Sequence, residues 1–243
     1  MGAEVGFALN RGIDAVTLAA EYVGRKHIRI DGFLEPESAR LLSSYLVSTD
    51  EWRHAIKADT QVFETSPSQM AAMDEAQRRM LDEAIFSEAA HDFRFRYDTI
   101  RVPDEAPERQ RMATPLSAFA EFMASKPMLD FFRRLTGSDD INFVDAQATR
   151  YRAGDFLTRH DDVVEGKDRS HAFVFGLTEG WRPEWGGLLL FNGTDGDIIE
   201  TKTPAFNTLD LFAIGQPHSV SYVAPYAAKD RLSVTGWLRT ALP

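Results

Sequence analysis

The sequence predicts an α+β chain, a double-stranded β-helix (jelly roll) with N-terminal helices packed on one outer sheet face. Three observations predict it. From Ile141 onward short runs of strand-forming residues follow one another, separated by Gly193, Gly196, Pro217 and Pro225, and many short strands at such spacing suggest a jelly roll. Before Gly137 much of the chain, including its longest periodic stretch, reads as helix. In the last run Arg231, Ser233, Thr235 and Trp237 share one face and Leu232, Val234 and Leu238 the other, since side chains alternate along a strand. Left bare, that aliphatic face would be an aggregation hazard. Helices over residues 36–47 and 115–135 are expected to bury it.

The elements follow in order. Residues 13–23 predict a helix and 26–30, which alternate, a strand. Glu35-Pro36-Glu37 starts a helix, with Pro and acids in its first turn. Ala39, Leu41, Leu42, Tyr45 and Leu46 form its apolar face. Residues 52–57 and 61–64 predict short strands around a turn at Asp59-Thr60. Ser66-Pro67-Ser68 opens the longest predicted helix, 68–91, with Met70, Met73, Met80, Leu81, Ile85 and Phe86 as a partial core stripe. Residues 93–102 alternate as a half-buried strand. Residues 103–111 are charged, carry two Pro, and read as a solvated loop, a mobile lid being the alternative. Residues 115–124 and 127–135 predict two helices, the second stopped by Gly137. Strands are then expected at 141–151, 156–159, 172–177, 187–191, 206–214, 219–223 and 231–238. No internal repeat or linker interrupts this order. Residues 1–243 are read as one domain, with 1–137 the mostly helical covering half and 138–243 the jelly-roll half that carries the site.

Composition narrows the function. The chain has 243 residues, 44% hydrophobic and 26% charged, as expected for one soluble domain with a substantial core or two small ones. It contains no Cys, which excludes disulfides and thiol catalysis. A formal net charge of −10 without a dense basic patch disfavours nucleic acid as a partner. The start, Met1-Gly-Ala-Glu-Val-Gly, lacks a basic region and an apolar run, so no signal peptide is expected. Gly6 stands where a myristoylation motif wants Ser or Thr. No apolar stretch of about 18 residues occurs, so no membrane span is expected. The expected location is the cytoplasm.

The chemistry concentrates in the stretch Tyr151 to Asp162, which ends His160-Asp161-Asp162. A non-haem iron centre needs two imidazoles and one carboxylate on one side of the metal, with other positions open. In an extended segment His160 and Asp162 point the same way and Asp161 away. His218 follows the turn Gly215-Gln216-Pro217 and is the third candidate. His171 is its rival, nine positions past Asp162. Together His160, Asp162 and His218 would hold one Fe(II). A 2-oxoglutarate cosubstrate brings two carboxylates; one can chelate the metal, and the other needs a cation deeper in the pocket. A guanidinium fork suits it better than an ammonium, and Arg231 lies 13 positions after His218. His27, His54 and His91 are expected to be structural or exposed, and Trp237 to pack beside the pocket.

An isolated His-x-Asp means little, but here an ordered set follows it. His160-Asp161-Asp162 with Glu165-Gly166, then Trp185-Gly186-Gly187, then His218, then Arg231-Leu232-Ser233 and Gly236-Trp237 resembles the Fe(II)/2-oxoglutarate-dependent dioxygenases of the prolyl 4-hydroxylase-like branch. Within that branch it is most similar to the catalytic domain of the ribosomal-protein prolyl hydroxylases. The resemblance covers residues 141–239 and extends weakly to Gly32-Phe33-Leu34-Glu35-Pro36 and Glu51-Trp52-Arg53. It implies Fe(II) and 2-oxoglutarate, ascorbate as reductant, and hydroxylation of a prolyl residue in a protein or peptide with decarboxylation of 2-oxoglutarate to succinate. It implies no catalytic residue beyond the metal centre. Two departures stand out. Those relatives carry a second, degenerate oxygenase domain that this chain is too short to hold, which puts the ribosomal substrate in doubt. Gly176 stands where several prolyl hydroxylases have a Tyr that binds the cosubstrate tail; Tyr151 or Ser233 substitutes for it, or the pocket is looser. Two other readings stay open, a hydroxylase of a free amino acid or small metabolite and a non-catalytic jelly-roll binding module. Oligomeric state is left open too.

Overall fold

The computed structural model describes residues 6–58 and 61–242. Residues 1–5 and the turn expected at Asp59-Thr60 lie outside the described residues. The first half runs α1 (Ala15–Arg25), β1 (His27–Asp31), α2 (Pro36–Ser48), β2 (Arg53–Ala58), β3 (Gln61–Thr65), α3 (Pro67–Ala72), α4 (Glu75–Ala89), β4 (Phe95–Arg101), α5 (Ala106–Met112), α6 (Pro115–Met123) and α7 (Lys126–Thr136). The second half runs β5 (Phe143–Val144), β6 (Gln147–Tyr151), β7 (Phe156–His160), β8 (Arg169–Leu177), a 3-10 turn at Pro183–Trp185, β9 (Leu189–Asn192), β10 (Ile198–Lys202), β11 (Phe206–Ala213), β12 (His218–Val220) and β13 (Arg231–Arg239). No described helix is long and apolar enough to cross a membrane.

The strands join in one curled antiparallel order, β1-β11-β8-β13-β6-β4-β7-β12-β9-β10. Its outer face carries Leu209 and Leu211, Phe173 and Phe175, and Val234 and Leu238, all buried in one core with Leu42 and Leu46 of α2, Phe119 of α6 and Phe132 and Leu135 of α7. Phe119 stacks on Phe175 with ring centroids 5.3 Å apart. This is the covering arrangement that the two-faced last strand requires. The opposite face of the same strands, carrying Arg231 and Thr235, lines a cavity.

Several local expectations are corrected. The helix expected over 68–91 is two, because Ser66 with Gln69 and Asp74 with Gln77 each form a reciprocal capping box. The second box requires an extended Asp74, which breaks the helix. The methionine stripe is not core: Met80 is 70% exposed and Ile85 is the buried residue of α4. On α2 the buried face is Ala39, Leu42 and Leu46, and Leu41 is turned out. Residues 103–111 are not a plain loop. They contain most of α5, started by Pro107. Buried Arg109 ties that helix down, donating from Nη1 to the carbonyls of Pro103 and Asp104 and lying over the Phe143 ring. β4 is buried on both faces rather than half-buried, since Tyr97 and Thr99 face inward while Asp98 and Ile100 are covered from outside. The run 141–151 splits into β5 and β6. β10 and the 3-10 turn were not foreseen.

The split matters to the last strand. Asp145 accepts the Trp237 N–H at 2.8 Å and its carbonyl crosses directly over Gly236. A Cβ at Gly236 would fall inside the van der Waals sphere of that oxygen and lie 2.7 Å from the Phe173 ring. Gly236→Ala is therefore expected to cost about 1–3 kcal/mol as overpacking, read as a lowered thermal midpoint. Gly24→Ala, on α1 with nothing within 4 Å, should instead gain up to about 1 kcal/mol. Equal midpoints for the two variants would refute the packing argument.

Candidate metal centre and its cavity

Two strands deliver the imidazoles. β7 ends on His160, β12 begins on His218, and the two residues are register partners. Their ring centroids lie 4.1 Å apart. Each ring is aimed by the backbone just before it: His160 Nδ1 meets the Thr158 carbonyl at 3.1 Å and His218 Nδ1 the Gln216 carbonyl at 2.9 Å. A carbonyl only accepts, so Nδ1 carries a proton, which leaves Nε2 as the atom that could offer a lone pair to a metal. Phe93 stacks on the His160 ring at 4.9 Å.

Asp162 arrives differently from the sequence argument. The strand stops at His160, and Asp162 adopts a left-handed φ of 62°, a conformation Asp tolerates better than most residues. The chain reversal, not strand alternation, aims its carboxylate at both rings. Oδ1 lies 3.5 Å from His160 Nε2 and Oδ2 lies 3.3 Å from His218 Nε2. Asp161 is exposed and engaged elsewhere, its carboxylate accepting the Val163 N–H and its carbonyl the Gly215 N–H. His171 is likewise away from the cluster, buried on β8 near Tyr22, where burial pushes its imidazole down to about 4. His54 pairs with Asp98, His27 stacks on Phe191, and His91 is exposed.

One ligand atom from each of His160, Asp162 and His218 lies within 4.8 Å of the others, the one such group among the described residues. Burial pushes the Asp162 carboxyl up, but the two facing imidazoles more than reverse this and hold it far below the usual carboxylate range. That lowering requires protons on the two Nε2 atoms; a divalent cation in their place would meet two imidazole lone pairs and an ionised carboxylate at one buried point. The donor set of two imidazoles and one carboxylate suits Fe(II) and leaves positions open.

The three residues line a cavity of about 420 Å³, and Arg231 lines it too. Arg231 is 4% exposed, and its Nη1 has no hydrogen-bond partner among the described residues. Burial pulls its guanidinium below the usual value, partly offset by the Tyr151 hydroxyl and Asp210. Tyr151 is its register partner on β6, with the guanidinium 4.9 Å from the ring centroid. Tyr151 lines the cavity, and burial pushes its phenol up, so it stays neutral. Ser233 is not on the cavity wall. Its hydroxyl meets Thr149 Oγ1 at 2.8 Å, and Thr149 is the residue that lines the cavity. Gly176 has no room for a side chain: a Cβ there would overlap the Ala205 carbonyl oxygen and lie 3.0 Å from the Thr208 hydroxyl. Trp237 lines the cavity and carries the Arg169 guanidinium over its ring at 3.5 Å.

Sequence reasoning missed Thr149, Tyr97 and Arg169. Thr149 could have been found, since it sits two residues before Tyr151 on the same strand face. Arg169 lies seven residues past Asp162, donates to its carbonyl at 3.4 Å, and left no pattern to read.

Residues 146–239 match the family model of the 2OG-Fe(II) oxygenase superfamily. Among curated proteins, the prolyl 3-hydroxylase OGFOD1 of Xenopus laevis is 38% identical over 101 residues, 39% of this chain and 19% of that protein. The chain spans about a fifth of the length of the curated relatives it matches. Among solved structures, a Pseudomonas putida prolyl-4-hydroxylase is similar with a TM-score of 0.56 at 19% identity, covering 93% of this chain and 98% of that one. A prolyl hydroxylase from Trichoplax adhaerens, in complex with a peptide fragment of hypoxia inducible factor, has a TM-score of 0.56 at 13% identity and covers 93% of this chain and 89% of that one. At these identities the structural likeness speaks for the fold.

Proposed function

We propose that this protein is an Fe(II)- and 2-oxoglutarate-dependent hydroxylase whose substrate is a prolyl residue in a protein or peptide. His160, Asp162 and His218 hold the metal, and Arg231 holds the distal carboxylate of 2-oxoglutarate. When bound, iron and 2-oxoglutarate together supply the means of activating oxygen, with 2-oxoglutarate going to succinate and carbon dioxide. The observation that carries this reading is Arg231, a buried guanidinium with an unpartnered nitrogen in the same cavity as the three-residue cluster. Buried cations are rarely left without an anion, and a carboxylate matches the fork. Tyr151 is a neutral phenol that donates a hydrogen bond to the cosubstrate. The peptide reading draws on the names of the relatives and on the apolar residues Val62, Val163 and Val164, which line the cavity and are largely exposed. Ascorbate as reductant and a cytoplasmic location complete the reading, with residues 1–243 acting as one unit.

The test is succinate release from 2-oxoglutarate with Fe(II) and ascorbate, run with a proline-containing peptide pool or with free amino acids. Expected are release that a chelator abolishes, stimulation by the peptides, and a gain of one oxygen atom on a prolyl residue by mass spectrometry. Stimulation by free amino acids alone would move the substrate to small metabolites. Failure to bind either metal or 2-oxoglutarate would leave a binding module.

A further inference from the structure

The sheet that lines the metal cavity on one face carries a second pocket on the other. Side chains alternate along a strand. Tyr151 and Arg231 face the cavity, and their chain neighbours Arg150 and Leu232, themselves register partners, face away from it. There α2, the end of β8 and the segment leading into β13 enclose about 360 Å³, within the roughly 300–1,000 Å³ of small-molecule sites. The buried part of its lining is apolar, formed by Leu46, Leu177 and Leu232.

The polar groups of this pocket are of both signs. Arg150 donates from Nε and Nη2 to Asp98 Oδ2, at 2.9 and 2.6 Å, and lies over the Trp52 ring at 4.6 Å. That fixes the guanidinium and leaves its Nη1 donors for another acceptor. Lys229 Nζ gives one of its protons to the Glu179 carbonyl at 2.9 Å and has two more to give. Asp230 lines the pocket as well, and its carboxylate makes no hydrogen bond or ion pair among the described residues. Partial burial pushes that carboxyl up, against the pull of Arg150 and Arg152. Glu179 adds a second acid to the lining.

We propose that this pocket binds a free L-α-amino acid with an apolar side chain. The carboxylate of the ligand accepts from Arg150 and Lys229, its ammonium donates to Asp230, and its side chain lies on the three leucines. Ligands of one sign fit worse. A phosphate or a dicarboxylate would meet Asp230 and Glu179 along with the cations, and a simple amine would meet Arg150 and Lys229; like charges brought together oppose binding. A zwitterion matches both signs, and its carboxylate gains charge-assisted bonds. The sheet stands between this pocket and the cluster of His160, Asp162 and His218. The amino acid is therefore bound here and not oxidised, and the assignment does not depend on the 2-oxoglutarate reading.

Calorimetric titration with L-leucine tests this. Saturable binding is expected, with N-acetyl-L-leucine, which lacks the ammonium, and L-leucinamide, which lacks the carboxylate, each about tenfold or more weaker. Lys229→Gln and Asp230→Asn change exposed residues, should fold as wild type does, and should each weaken L-leucine about tenfold. Metal-free wild type and Asp162→Ala should bind L-leucine as the Fe(II)-loaded protein does. Binding that survives Asp230→Asn and fails in Asp162→Ala would place the amino acid in the metal cavity and overturn the assignment. Equal affinity for N-acetyl-L-leucine, or no binding of L-leucine by wild type, would overturn it too.

Discussion

Asp162→Ala is expected to abolish specific Fe(II) binding, while Asp161→Ala leaves the affinity within about twofold. Losing an outer partner of a metal ligand costs about 10–100-fold in affinity, and Asp162 is read as a direct ligand, so its loss should exceed that range. Asp162 supplies the only carboxylate of the cluster, and its two oxygens each face one imidazole. Without it two neutral rings remain, and no charge in the cluster offsets a divalent cation. Asp161→Ala is the sharp control. The two residues are adjacent in the chain and both line the cavity, yet one aims its carboxylate at the imidazoles through its left-handed backbone and the other's carboxylate accepts the Val163 N–H. Asp162→Asn separates backbone from charge, because Asn also tolerates that conformation. It should fold like wild type and bind metal poorly. Metal titration of the three variants decides the matter. Strong binding by Asp162→Ala, or loss in Asp161→Ala, would show that the wrong carboxylate has been chosen.

That contrast also shows what was legible in the chain. The candidate set His160, Asp162, His218 and Arg231 could be written down from residue types and order, and the structure brings all four to one cavity. The reason offered for Asp162 was strand alternation, and the fold reaches the same geometry by a reversal after β7. The last strand was readable because its polar and aliphatic residues alternate strictly, so one inspection located both the cavity face and the helix-covered face. Capping boxes at Ser66 and Asp74 were equally present as residues, yet a continuous helical period masks a break unless the caps are weighed against it. The helix over Ala106–Met112 was hidden because its stabilising partner, the Phe143 ring under Arg109, is far away in sequence. Thr149 and Arg169 belong to the same class, polar residues whose meaning comes only from what the sheet places opposite them.

Arg231→Met should have two opposite effects. Binding of 2-oxoglutarate should fall about 100-fold or more, since hydrogen bonds to charged partners contribute roughly 1.5–3 kcal/mol each and a fork makes two. The ligand-free protein should become more stable, because the side chain it loses is a 4% exposed cation with an unpartnered nitrogen. Replacing a buried charge that Tyr151 and Asp210 offset only in part by an apolar side chain of similar length relieves its desolvation. Thermal unfolding with and without saturating cosubstrate reads both effects at once. For wild type, 2-oxoglutarate at a hundred times its dissociation constant should stabilise by about 2.7 kcal/mol and raise the midpoint accordingly. For the variant, the midpoint should start higher and barely respond. Metal affinity should not change, since Arg231 is not among the three residues whose ligand atoms converge. A variant that starts lower would mean that the guanidinium is held by protein partners and structural in purpose. A midpoint that still climbs with 2-oxoglutarate would remove Arg231 from the site altogether.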